Sequence, residues 1–273
     1  MGRELTLQEL QAVCLDILKD VHDFCTSNGI RYSVSDGSMI GVVRHRGFIP
    51  WDDDVDLIMP RPDYERFSAS YRSDRFRLIC PQNDADCRMA FARVYDDRRT
   101  VVQTALPWCD RPMGVWIDIF VADGAPDDPE AALARYDSCR AKWAEVTKAR
   151  KGLRKWDKTR SLEWNVKALV YRVLYRGGAA IPGMLREWDA EARSIPFGST
   201  GFWSQYVCPA DNCKEHNSMA SFSSCHLMPF ETIEVSVLDG YDECLTNKYG
   251  NYMELPPEEK RHPVNTHNRF YWK

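Results

Sequence analysis

The chain lacks any low-complexity tract, any internal repeat, and any run approaching the roughly 18 uninterrupted apolar residues of a membrane span. Those absences disfavour disordered, fibrous, repeat and membrane-spanning classes. The first residues, Met1-Gly2-Arg3-Glu4-Leu5-Thr6, hold no apolar stretch of the secretory type, so a cytoplasmic protein is expected. An excess of either charge is also missing: 36 Lys and Arg stand against 40 Asp and Glu, a net −4 over 273 residues. That balance argues against a protein whose main work is coating nucleic acid, and no nucleic-acid partner is expected. Cysteine is present ten times, but without metal-site spacing. The one tight grouping, Cys208, Cys213, His216, Cys225 and His226, fits no common zinc pattern. A chain of this size needs no disulfide staples, so reduced core thiols are expected.

What is present is 44% hydrophobic and 12% aromatic residues, enough for a substantial core. From Thr6 to Asn28, apolar residues such as Leu10, Val13, Cys14, Ile17, Leu18 and Val21 recur at three- and four-residue steps, the period of an amphipathic helix. Thr6 and Glu9 form a capping box at its start, and Gly29 suits its end. Ile30 to Ser35 then predicts a strand, Asp36-Gly37-Ser38 a turn, and Ser38 to Arg44 a helix start. A second strand is predicted over Asp54 to Met59, where alternation puts Asp54 and Asp56 on one face. A helix from Asp63 to Tyr71 follows, then strands near Phe76 to Cys80, Phe91 to Tyr95, Thr100 to Gln103 and Val115 to Val121. After Gly198, Phe202 to Val207 and Glu231 to Val237 read as strands, and Tyr241 to Tyr249 as a short helix. The expected class is α/β or α+β: a mixed sheet with flanking helices and a helical insert. The expected division is a mixed-sheet core over 1–127, a basic helical insert over 128–197, and a segment over 198–273 that completes the core.

The chemistry concentrates around Gly37-Ser38 and Asp54-Val55-Asp56. A glycine allows a close backbone turn, and free amides at a following helix start hold a phosphate oxygen, to which Ser38 can add its hydroxyl. Paired carboxylates on a strand suit Mg2+, which also holds substrate phosphates. Asp52, Asp53, Asp54 and Asp56 crowd four negative charges into five residues, which repel unless cations compensate. Asp118 sits inside the apolar run Val115 to Val121, where a buried charge needs a partner, and a metal shared with Asp54 and Asp56 would supply one. The expected metal ligands and catalytic acids are therefore Asp54, Asp56 and Asp118. Gly37, Ser38, Arg44 and Arg93 are the candidate donor-phosphate contacts. Arg44 could equally compensate the aspartates, and Arg93 could equally form a structural ion pair. Trp51 and Tyr32 are candidates to flank a base or head group, or to pack, and Glu231 is a candidate catalytic support.

The run from Asp36 to Phe67, with Asp36-Gly37-Ser38, Arg44-His45-Arg46-Gly47, Pro50-Trp51-Asp52-Asp53-Asp54-Val55-Asp56 and Pro60-Arg61-Pro62-Asp63-Tyr64, resembles the signature of the LicD family. That family includes bacterial phosphocholine transferases and is related to fukutin and fukutin-related protein. Trp116 to Phe120 with Asp123-Gly124 resemble its second block, and Phe230-Glu231 with Tyr249 to Arg261 its C-terminal block. The resemblance implies a nucleotidyltransferase-like fold. It implies transfer of an alcohol phosphate of the phosphocholine type from a CDP-linked donor to a hydroxyl of a cell-surface glycan or glycolipid precursor, with release of CMP. Mg2+, with Mn2+ as an alternative, is the implied cofactor; Asp54 and Asp56 map to metal ligands and Asp118 to a third acid, ligand or general base. Attack at the β-phosphorus rests on the resemblance. Two other readings stand beside it: nucleotide attachment with release of pyrophosphate, and a non-catalytic binding domain on the same fold.

The segment from Arg140 to Arg176 holds 12 Lys and Arg against three acids, Glu145, Asp157 and Glu163, with Trp143, Trp156 and Trp164 interleaved. The expectation is a basic surface that meets an anionic membrane face or a phosphate-rich acceptor. The other reading is a solvated helical face whose aromatics are core.

Overall fold

A computed structural model of the chain describes residues 2–104, 109, 111–158, 160–209, 214–263 and 268–273. Helix α1 spans Leu7–Asn28. Its capping box is made as the sequence predicts, with the Glu9 amide donating to Thr6 Oγ1 and the Thr6 amide donating to the Glu9 carboxylate at 2.9 Å. Gly29 closes it in the left-handed region at φ 58°. The remaining elements follow in order: strand β1 (Ser33–Val34), helix α2 (Asp36–Ile40) continued by a π-helical turn (Gly41–His45), β2 (Asp56–Pro60), α3 (Arg61–Ser70), β3 (Arg77–Ile79), β4 (Ala92–Tyr95), β5 (Thr100–Thr104) and β6 (Trp116–Ala125). Then come helices α4 (Pro129–Lys151), α5 (Leu162–Leu174) and α6 (Ile181–Ala192), strands β7 (Phe202–Ser204), β8 (Asn217–Ser218), β9 (Cys225–Phe230) and β10 (Ile233–Leu238), helix α7 (Tyr241–Tyr249) and strand β11 (Asn268–Trp272).

The main sheet runs β1-β2-β6-β4-β3, with β7 also pairing β6 and β8 beyond it. Among the described residues only β2 and β6 pair in parallel; the other ladders are antiparallel. The hairpin β9–β10 and the antiparallel pair β5–β11, whose strands come from distant parts of the chain, form two separate ladders. The architecture is α+β. All ten residues of β6 are buried, which explains its near-continuous apolar reading. Its two charges, Asp118 and Asp123, are five residues apart and so project from opposite faces. Each is met by an arginine.

Asp123 accepts from Arg61 twice, at 2.7 and 2.6 Å, and Arg61 reaches Asp189 of α6 at 2.8 Å. This buried triad ties α3, β6 and α6 together. Breaking a buried pair from one side leaves an uncompensated charge, so Arg61→Met is expected to cost about 3–5 kcal/mol in urea unfolding. A loss under about 1 kcal/mol would show that solvent reaches Asp123.

Several boundaries differ from the sequence reading. The predicted strand at Asp54 begins instead at Asp56 and runs through Pro60, with Pro62 taken into the first turn of α3. The predicted strand over Ile30 to Ser35 shortens to two residues. Strand β9 goes unread, because its His226 and Pro229 break any alternating pattern. Among the described residues no helix is long and apolar enough to cross a membrane.

Candidate active site

The turn after β1 is tight for a reason other than its glycine. Asp36 carries the left-handed backbone, φ 52°, which a non-glycine residue adopts rarely. It is fastened from the far end of the chain: Lys248 of α7 forms an ion pair with its carboxylate, and the Tyr249 hydroxyl donates to it at 3.3 Å. Gly37 serves space instead, since a Cβ there would lie 3.1 Å from Asp52 Oδ2. The predicted phosphate hydroxyl, Ser38 Oγ, is buried and accepts the Asp56 amide at 2.9 Å. It fixes the start of β2 directly beneath the acids.

Register brings two of the three predicted acids together. Asp56 on β2 pairs with Asp118 on β6 in parallel, so the two project on one face, and Arg93 on β4 pairs with Asp118 from the other side. Arg93 takes both Asp118 oxygens with Nε and Nη2, the latter at 3.0 Å, while its guanidinium lies 4.2 Å from the Trp116 ring centroid. The charge of Asp118 thus has a protein partner, and its burial alone does not call for a metal. The structure favours the ion-pair alternative for Arg93.

Asp54 precedes the strand, so the alternation argument that joined it to Asp56 does not apply. It belongs with Asp52 and Asp53: one carboxylate oxygen from each of the three lies within 4.8 Å of the others. Gln11 of α1 holds this loop by donating to the Asp52 carbonyl at 2.9 Å. Burial, together with Asp53, pushes the Asp52 carboxyl up to about 6, against the pull of a side-chain hydrogen bond shared with Asp54. Burial and the surrounding Asp54, Asp36, Asp118 and Asp52 push Asp56 well above the ordinary carboxylate range.

A cleft of about 780 Å³ opens over these groups, lined by Asp36, Gly37, Asp52, Asp54 and Asp56 on one side. The other wall is the C-terminal segment from Lys248 to His262, including Tyr249 and Tyr252, with Trp51 and Arg44 at its border. Arg44, a candidate phosphate ligand, donates to the carbonyls of Tyr252 and Glu254 at 2.7 and 3.1 Å and so anchors that wall.

Sequence reasoning missed Lys248 and Glu215. Lys248 sits between Asp36 and Glu215 and pairs with both. Burial opposes its charge, yet the two carboxylates hold its pKa above the ordinary lysine value. Glu215 is pushed up to about 7 by burial, with Lys248 opposing. No local signal marks Lys248 beyond its place beside the C-terminal block.

The other candidates lie as follows. Glu231, at φ 54°, accepts the Phe48 amide at 3.0 Å and braces the loop before Trp51. Tyr32 is buried packing, bonded to His22 at 2.7 Å. Of the Cys and His grouping, Cys213 lies outside the described residues; His216 bonds the Pro126 carbonyl and His226 bonds Asp239. These two histidines face different partners.

The donor set fits a hard divalent cation. Asp52, Asp53 and Asp54 offer only oxygen, at mutual distances a single ion can span, and Asp56 lies beside them in the same cleft. Asp54 and Asp56 both line the cleft.

The chain is 29% identical over 277 aligned positions to the lipopolysaccharide cholinephosphotransferase LicD of Haemophilus influenzae, covering 96% of each chain. It is 39% identical over 91 residues to an uncharacterized protein of Rickettsia typhi, and 34% identical over 80 residues to one of Rickettsia prowazekii. Those two alignments cover 29% and 30% of the relatives, and 29% and 26% of this chain. Residues 29–109, which hold the Asp36 turn, all the clustered aspartates and Arg93, match the LicD/FKTN/FKRP nucleotidyltransferase domain.

Proposed function

We propose that this protein is a transferase that moves a phosphocholine-type alcohol phosphate from a CDP-linked donor to a hydroxyl of a glycan or glycolipid acceptor, releasing CMP. The observation that carries the reading is the full-length similarity to a lipopolysaccharide cholinephosphotransferase, together with an acid-lined cleft at the matching segment. Asp54 and Asp56 hold Mg2+ or Mn2+ in this reading, with Asp52 and Asp53 beside them and Asp118, clamped by Arg93, as the third acid. When bound, the ion neutralises charge on the donor diphosphate and on the departing CMP.

The chain's own residues do the positioning. The Asp36 turn, fastened by Lys248 and Tyr249, sets the backbone beside which a diphosphate lies. Gly37 leaves that backbone open. Trp51, Tyr249 and Tyr252 line the cleft, residue types suited to a quaternary ammonium head group. Arg44 holds the Tyr252 wall in place, so the head-group side of the cleft is preorganised.

Gly37→Val tests the phosphate turn. Its Cβ meets Asp52 and its methyls enter the cleft, so donor affinity and turnover are expected to fall on the order of a hundredfold with unchanged circular dichroism. Native affinity for CDP-choline in the variant would remove Gly37 from the site.

Incubation with CDP-choline, CDP-ribitol and ordinary NTPs, with analysis of the released nucleotide, tests the function. CMP from a CDP-alcohol supports the transferase. Pyrophosphate from an NTP would favour the nucleotidyl-transfer reading that the family domain also allows. No released nucleotide from any donor, with acceptor present, would leave only a binding domain.

A further inference from the structure

Helix α5 leaves most of its large aliphatic side chains on its exposed side. Its inner side is small and fastened: Asn165 and Ala168 are its buried residues, with Trp164 and Tyr171 half-buried beside them, and Asn165 exchanges hydrogen bonds with the Asp157 backbone at 2.9 Å and bonds the Ser161 carbonyl at 3.2 Å. Arg172 donates to the carbonyls of Gly152 and Arg154 at 3.1 and 2.6 Å. These bonds fix the rotation of the helix about its axis. Its outer side is apolar: Leu162, Val166, Leu169, Val170 and Val173 recur at helical spacing and are all exposed, Leu162 at 69% and Val173 at 72%. Trp156, in the preceding connection, is 60% exposed. Exposed contiguous apolar surface of this kind marks an interaction site.

Charge selects the occupant. The flanking Lys155, Lys158, Arg160, Lys167 and Arg176 are exposed, in the segment where basic residues outnumber acids 12 to three, within a chain of net −4. A two-fold dimer through this face would set the patch against itself and oppose like charges. An apolar stripe edged by Lys, Arg and Trp instead matches the boundary of an anionic bilayer, where the stripe enters the acyl region and the ammonium groups meet lipid phosphates.

We propose that α5 and the connection before it dock this protein reversibly on an anionic lipid surface, with the Leu162 to Val173 stripe inserted and Lys155 and Lys158 at the headgroups. The inference rests on this surface alone and stands or falls separately from the transferase reading. The test is co-sedimentation of the full chain with vesicles of phosphatidylcholine alone or mixed with phosphatidylglycerol, at low and high salt. Binding is expected to the mixed vesicles and to weaken with salt. Leu169→Glu with Val173→Glu is expected to lower partitioning on the order of a hundredfold. Lys155→Ser with Lys158→Ser is expected to lower it roughly tenfold and to flatten the salt response. All four side chains are exposed, so circular dichroism should be unchanged. Failure to sediment at low salt, equal partitioning to both vesicle types, or unaltered partitioning in both variants would overturn the proposal. A concentration-dependent dimer that Leu169→Glu with Val173→Glu abolishes would overturn it in favour of a second copy.

Discussion

Asp54→Asn and Asp56→Asn are each expected to lower turnover on the order of a thousandfold, with the fold intact. The substitution keeps size and shape but removes the charge that would hold a cation against a donor diphosphate, a contribution of several kcal/mol to the barrier. Stability should move the other way for Asp56. Its carboxyl is pushed well up by burial and by Asp54, Asp36, Asp118 and Asp52, so folding disfavours the ionised form at neutral pH. Wild-type stability from this group is therefore greatest below the unfolded value of 3.8 and declines as pH rises toward the folded value. Asp56→Asn escapes that decline, so its unfolding midpoint should match the wild type in acid and exceed it at neutral pH. A residue kept at the expense of stability is what an active site shows. Near-native turnover with Mg2+ in either variant would remove the assignment.

Lys248→Met carries the second large effect, on stability. Lys248 is mostly buried between Asp36 and Glu215, and its removal leaves two carboxylates without their cation, at a cost of about 3–5 kcal/mol. Urea unfolding reads this directly. Glu215→Gln added to Lys248→Met should recover part of the loss, because one of the two stranded charges is gone. Donor binding should stay impaired in both, since the strained Asp36 backbone beside Gly37 loses its tether. A loss below about 1 kcal/mol would mean that water compensates the pair and that Lys248 is not a structural post of the cleft.

These two sites differ in how far they could be read from the chain. Capping chemistry and helical period are local, and α1 and α7 were legible to within a residue for that reason. The acids were legible as a cluster because adjacent like charges are improbable without a task. Their grouping was not. Asp118 meets Arg93 through the register of β6 on β4, and Asp36 meets Lys248 across 212 positions, so neither partner is visible before strand order is known. Ser38 shows the converse limit: its hydroxyl suits a phosphate, yet the amide of Asp56 lies within reach and takes it. The basic character of the segment around α5 was legible, but its outward apolar stripe was not read, because a helical period says only that a face exists. Which way it turns depends on Asn165 and Arg172.

The transfer of an alcohol phosphate is tested most directly by following the β-phosphorus. CDP-choline labelled there is incubated with the protein, Mg2+ and a lipopolysaccharide acceptor, and the label is traced through the products. The expected result is label on the acceptor, with unlabelled CMP released in equal amount and no transfer from Asp56→Asn. Label released as free phosphocholine, with cytidylate joined to the acceptor, would place the attack at the other phosphorus and contradict the proposed reaction.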